Sequence, residues 1–171
     1  MTDRSKHFLP PGELDKIRRS EPFLTQVAEL DAIAVCARAI DLATIGGFAG
    51  PHQTPTIFAC LLLRLLQVGP PAEFVEEMVA SPHHKYLRCL GLVYARIALP
   101  AVTVHRLLRV AFFDYRRVRV RKNDGTVAVV HVDEVADTLE MGKDFEGISL
   151  PGLLDRANTY ALHPDHVEIT L

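Results

Sequence analysis

From Ile57 to Val68 the chain is apolar almost without pause, and only Arg64 and Gln67 interrupt it. A helix that is apolar on every side cannot lie on a surface, so the residues around it must supply a shell of further helices. Pro55 and Thr54 precede the run and Gly69-Pro70-Pro71 follow it. Threonine before a proline predicts an N-cap at Thr54 with Pro55 in the first helical turn, and the glycine and prolines predict the stop. The most apolar part, Ile57 to Leu63, ends at Arg64. That is far short of the roughly 20 residues of a membrane span. Met1 to Lys6 is polar, with no apolar stretch of the kind found in a secretory leader. A soluble, intracellular protein is the expectation.

The same helical period recurs on both sides. Short helices are predicted from Glu13 to Arg19 and again from Pro22. Residues 1–12, ending in Pro10-Pro11-Gly12, read as a flexible arm ahead of a single helical domain over 13–171. Asp31 caps a helix to about Ala43, with Ile33, Cys36, Ala37, Ile40 and Ala43 at helical spacing. Three glycines and two prolines between Thr44 and Pro55 break regular structure. After the central run, Ala72 to Ala80 is helical, and Ser81-Pro82 reads as the start of a helix to Ala98. The apolar stripe of that helix is Tyr86, Leu87, Leu90, Val93, Tyr94 and Ile97. Beyond Pro100, Val104, Leu107, Leu108, Ala111, Phe112 and Tyr115 form the next stripe.

At Arg117 the period switches from helical to strict alternation. Arg117-Val118-Arg119-Val120-Arg121 and Thr126 to Val130 read as two strands joined by Asp124-Gly125. Asp133 then caps a helix to Met141, Leu150-Pro151 opens a last helix to about Tyr160, and His163-Pro164 starts a terminal turn. Strands do not alternate with helices, which excludes a doubly wound parallel sheet. The predicted fold is mainly α: one compact multi-helix domain with a small β-hairpin at about residues 117–130.

Composition narrows the function classes. Hydrophobic residues make up 49% and charged residues 23% of 171 residues, which excludes a disordered chain. The formal net charge of -2 lacks the strong basic balance of a dedicated nucleic-acid binder. Cys36, Cys60 and Cys89 are odd in number and widely spaced, so buried reduced thiols are expected, not a disulfide framework. Gly46, Gly47 and Gly50 fit neither a dinucleotide nor a Walker phosphate loop, and read as a tight connection with close backbone approach.

His83-His84 would diverge on a helix, and neither His131 with Asp133 nor His163 with His166 has an evident third ligand. Asp133 and Glu134 suit the positive end of a helix dipole. No catalytic residue set, metal site or cofactor is expected. The one charge run is Arg116, Arg117, Arg119, Arg121 and Lys122. On a strand, Arg117, Arg119 and Arg121 share one face. A solvated hairpin face that discourages edge pairing is the first reading. Contact with an acidic protein segment or with RNA phosphates are the others.

Several stretches, in order, resemble the pre-mRNA-processing factor 38 family from about residue 12 to 160. They are Ile45 to Gly50, Thr54 to Leu61, Leu65 to Val68, Lys85 to Arg96, Asp114-Tyr115-Arg116-Arg117, Asn123-Asp124-Gly125, His131 to Glu134, and Leu150-Pro151. The resemblance implies a helical fold and a nuclear, non-enzymatic scaffold needed for pre-mRNA splicing and spliceosome activation. It implies association with the tri-snRNP or precatalytic complex. It also implies two protein partners: a small zinc-finger splicing factor and an extended, largely helical factor. Arg88, Tyr94, Tyr115, Arg116, Arg117 and Arg119 are the candidate partner-binding residues, and RNA contact through Arg116 to Lys122 is the alternative. Two features depart from the family. No arginine/serine-rich tail follows the domain before Leu171, and Pro51-His52-Gln53 replaces a Gly-Asn-Ile-Lys type of loop.

Overall fold

The computed structural model describes residues 8–162. The His163-Pro164 turn and the His163/His166 pair lie outside the described residues. Helices dominate, as the period predicts: α1 (Pro11–Arg18), α2 (Ala32–Ile40), α3 (Ile57–Val68), α4 (Ala72–Ala80), α5 (Lys85–Ala98), α6 (Ala101–Ala111), α7 (Val132–Met141) and α8 (Arg156–Leu162). A π-helical turn, Phe23–Val27, stands where a helix from Pro22 is expected. Three two-stranded antiparallel pairs complete the fold: β1 (Phe48–Ala49) with β2 (Thr54–Pro55), β3 (Arg117–Arg121) with β4 (Val127–His131), and β5 (Asp144–Phe145) with β6 (Ile148–Ser149).

The apolar run forms α3, and Phe58 to Leu63, Leu65 and Leu66 are all fully buried. Its polar interruptions satisfy one another and a neighbour. Arg64 Nε donates to Leu30 O at 2.7 Å, and its NH1 donates to Gln67 Oε1 at 3.3 Å. The centre is nevertheless shared. Every residue of α5 from Leu87 to Ile97 is buried, not one stripe, and α5 packs on α2, α3, α4, α6 and α7.

Several boundaries differ from the sequence expectation. The cap of α3 is Thr56, whose Oγ1 accepts from Ala59 N, because Thr54 and Pro55 are already paired as β2. Helix α1 starts at Pro11 and Leu9 is buried, so the core reaches into the segment read as an arm. Helix α5 starts at Lys85, because Ser81 to His84 form a connection held by arginine side chains. α7 is capped by His131, not Asp133: Glu134 Oε2 accepts from the His131 main-chain N–H at 2.6 Å. Leu150 to Asp155 is not helical, and α8 begins at Arg156.

The glycine loop stitches the two hairpins together. Ile45 N donates to Arg119 O, Gly50 N to Asn123 O, and Phe48 N to Glu146 O. At Gly47 a Cβ would lie 2.5 Å from Glu146 O and 2.6 Å from Ile148, so only glycine fits this crossing.

Candidate protein-binding surfaces

The six candidate residues divide into an internal set and an external set. Arg88 is only 8% exposed. Its Nε donates to Val79 O at 2.6 Å, NH2 to Ser81 O at 3.2 Å, and NH1 to Asp114 Oδ2 at 2.6 Å. It ties the end of α4 and the 81–84 connection to the end of α6. Tyr94 is 4% exposed on α5 and lines a cleft with Phe8, Leu66 and Leu99. Arg88 and Tyr94 are both buried side chains, not exposed ones. Burial of the helix around them overrides their polar chemistry.

Asp114 is the hub of the internal set. It accepts from Arg116 N, Nε and NH2 as well as from Arg88. Burial by itself would raise its carboxyl, but the hydrogen bonds from Arg116 and Arg88 outweigh that and hold it at about 2. The same bonds raise the Arg116 guanidinium, whose NH1 also donates to Pro82 O at 2.7 Å. Arg116 is thus half-buried and committed to the fold. A second buried arginine, Arg96, was not among the candidates. Its Nε donates to Leu139 O at 2.7 Å, NH1 to Pro151 O at 2.6 Å and NH2 to Gly142 O at 3.4 Å. Eight residues apart on α5, Arg88 and Arg96 clasp loops at its two ends.

The external set consists of Tyr115, Arg117 and Arg119. Tyr115 is 66% exposed, off the α6 stripe on which its spacing placed it, and Phe113 beside it is 78% exposed. With Pro82, Arg88, Asp114 and Arg116 they border a shallow cleft of about 410 Å³. Arg117 and Arg119 are exposed, and no carboxylate pairs with either among the described residues. Lys122 is drawn off to Glu146 Oε1 at 3.1 Å.

A further exposed surface lies on α2. On α2 the inward residues are Val35 and Ala39, whereas Ile33 is 73% and Ile40 39% exposed. The expected core stripe Ile33, Ala37 and Ile40 faces outward. Ile33 and Cys36 border an apolar groove of about 280 Å³ against Phe74, Met78 and Leu87. Spacing alone does not say which of two apolar stripes on one helix faces in.

Cys60 and Cys89 are buried and Cys36 half-buried, all as free thiols, and burial above all pushes Cys89 up to about 12. His83 and His84 precede α5 and contact each other edge to face. Ligand atoms of His131, Asp133 and Glu134 lie within 4.8 Å of one another, but His131 and Glu134 are joined as the cap of α7. Buried His105 holds Leu154 O through Nε2 at 2.7 Å, which anchors the segment ahead of α8.

Two buried arginines that clasp loops, exposed aromatic and apolar patches, and a basic hairpin together define a helical domain with three distinct kinds of exposed surface. The chain belongs to the PRP38 family, whose profile matches residues 2–162. Pre-mRNA-splicing factor 38 of Arabidopsis thaliana is 38% identical over 153 residues, 86% of this chain and 43% of that protein. Pre-mRNA-splicing factor 38 of Schizosaccharomyces pombe is 39% identical over 127 residues, 74% of this chain and 60% of that protein. The chain therefore spans about half the length of these relatives. A chain in the crystal structure of the Snu23-Prp38-MFAP1(217-258) complex of Chaetomium thermophilum superposes with a TM-score of 0.87. It is 25% identical, and the match covers 98% of this chain and 87% of that one.

Proposed function

We propose that this domain is a nuclear splicing scaffold that holds other spliceosomal proteins, and that it acts through binding without catalysing a reaction. The observation that carries this reading is the apolar α2 face: Ile33 and Ile40 are exposed at helical spacing, and Ile33 borders the groove against α4. A second helix or an extended peptide buries such a stripe. Membership of the PRP38 family and the partners in the Chaetomium complex support the same reading. By that likeness, the partners are a zinc-finger factor of the Snu23 kind and a segment of the MFAP1 kind. Association with the tri-snRNP or precatalytic complex, and a part in spliceosome activation, complete the proposal. Tyr115, Phe113 and Arg117 form a second contact region, since aromatic and arginine side chains presented at a surface dominate binding energy.

Affinity capture from nuclear extract, followed by cross-linking mass spectrometry, tests it. Splicing proteins cross-linked near α2 and the 113–117 region are expected. Recovery of no splicing protein rejects the scaffold. The exposed Arg117 and Arg119 favour RNA as the second reading. For roughly three phosphates it requires a log-log salt slope near -2 on single strands.

A further inference from the structure

The β3–β4 hairpin leaves one edge of its sheet open. Arg119 N donates to Tyr86 Oη at 3.1 Å. Ile45 N donates to Arg119 O at 2.9 Å, and Arg121 N donates to Ile45 O at 2.8 Å. The main-chain groups of Arg119 and Arg121 therefore point away from β4. Val129 lies opposite Arg119 and Val127 opposite Arg121. In an antiparallel ladder, such non-bonded pairs turn their N–H and C=O groups outward on both strands. Val127 and Val129 thus direct donors and acceptors to the far side of β4, where no further strand lies among the described residues.

Edge strands are ordinarily blunted by proline, lysine, a bulge or a cover. Val127–His131 contains neither proline nor lysine, and its register with β3 runs without a bulge. The charges stand one strand further in. Arg117, Arg119 and Arg121 share a face with His131, Val129 and Val127, their register partners. Val127 is 47% and Val129 60% exposed, so this face offers valines at its rim and arginines behind them.

We propose that the open edge of β4 receives an extended segment of a partner protein in which acidic and apolar residues alternate, added as a third strand. The proposal rests on the protein-binding reading and adds to it a separate site with its own chemistry. Main-chain bonds to Val127 and Val129 supply the pairing. Strands about 4.8 Å apart put an added strand about 10 Å from β3, within the joint reach of arginine and glutamate side chains across small valines. The absence of a carboxylate partner for Arg117 and Arg119 among the described residues selects an acidic strand. A second copy of this hairpin would match valine with valine but bring no carboxylates from its strands. RNA has no peptide groups with which to complete the ladder.

The test uses the whole chain, labelled with 15N, and a capped peptide of about eight residues alternating Glu and Val. Binding is expected to slow hydrogen exchange at the Val127 and Val129 amides roughly tenfold or more. A Lys-Val peptide is expected to bind roughly tenfold more weakly. V129P removes an outward N–H that makes no bond among the described residues, so it is expected to keep the native spectrum and lose the peptide. V129T keeps it, and R117E with R119E reverses the preference towards the Lys-Val peptide. If V129P misfolds, exchange in the native chain and the charge reversal decide. Undiminished binding to native-like V129P, or binding without protection at Val127 and Val129, overturns the proposal. So does protection that rises with protein concentration alone, which marks a second copy. Shifts of the arginine side chains with an oligouridine probe, and none with the peptide, favour RNA and also overturn it. Capture of splicing proteins by a chain that ignores the peptide removes the edge site only, whereas failure of all capture removes the scaffold reading.

Discussion

At the scale of single residues, the same side chain means opposite things in different surroundings. Arg88 and Arg117 are both arginines near hairpin or helix ends. One is a buried clasp and the other an exposed charge. Arg88 gives three bonds to Val79 O, Ser81 O and Asp114. Replacing it by methionine leaves the buried Val79 carbonyl, the half-buried Ser81 carbonyl and part of a carboxylate without these donors. R88M is expected to lose about 3 kcal/mol in urea unfolding at pH 7. Asp114 adds a pH dependence. Its folded value of about 2 lies below the unfolded value near 3.9, so it stabilises the fold fully above about pH 4 and the contribution fades as pH falls through 2. The difference in stability between the native chain and D114N should therefore shrink by about 2 kcal/mol across that window, read from urea midpoints at each pH. An unchanged difference would show that Asp114 is not held ionised by the arginines. The motif around Asp114 was visible in the sequence. That it turns inward was not, because charge alone carries no direction.

At the scale of elements, helix interiors were legible and their ends were not. Helical spacing located all the major helices, since burial of a face leaves a period. The starts shifted wherever a tertiary bond took a residue away, as with Thr54, which pairs in β2 and leaves the cap to Thr56. Strands β5 and β6 passed unseen, because two residues are too short to show alternation. They sit where the glycine loop crosses. G47A is expected to cost about 2 kcal/mol or more, because a methyl group must displace Glu146 O or Ile148. Thermal or urea unfolding checks it, and a native midpoint would mean that the crossing yields. I33D on the exposed face of α2 is expected to change stability by no more than about 0.5 kcal/mol. The same substitution should sharply reduce recovery of splicing proteins. Loss of stability without loss of capture would return Ile33 to the core.

At the scale of the whole molecule, α5 organises the domain. It is enclosed by five helices, and its two arginines reach past them to hold the loops at either end. R96M is expected to speed hydrogen exchange from Gly142 to Leu162 more than in α3, because it releases Leu139 O, Gly142 O and Pro151 O together. Uniform acceleration would make Arg96 a contributor to global stability alone. The helical character of the chain, the inner position of α3, the hairpin turning at Asp124-Gly125 and the family resemblance could all be read along the sequence. These follow from local period, turn chemistry and ordered motifs, which are written along the chain. Which stripe of α2 faces out, which arginines are clasps, and which edge of the hairpin is open were settled by long-range packing. Those depend on residues distant in sequence competing for the same main-chain bonds and the same buried space.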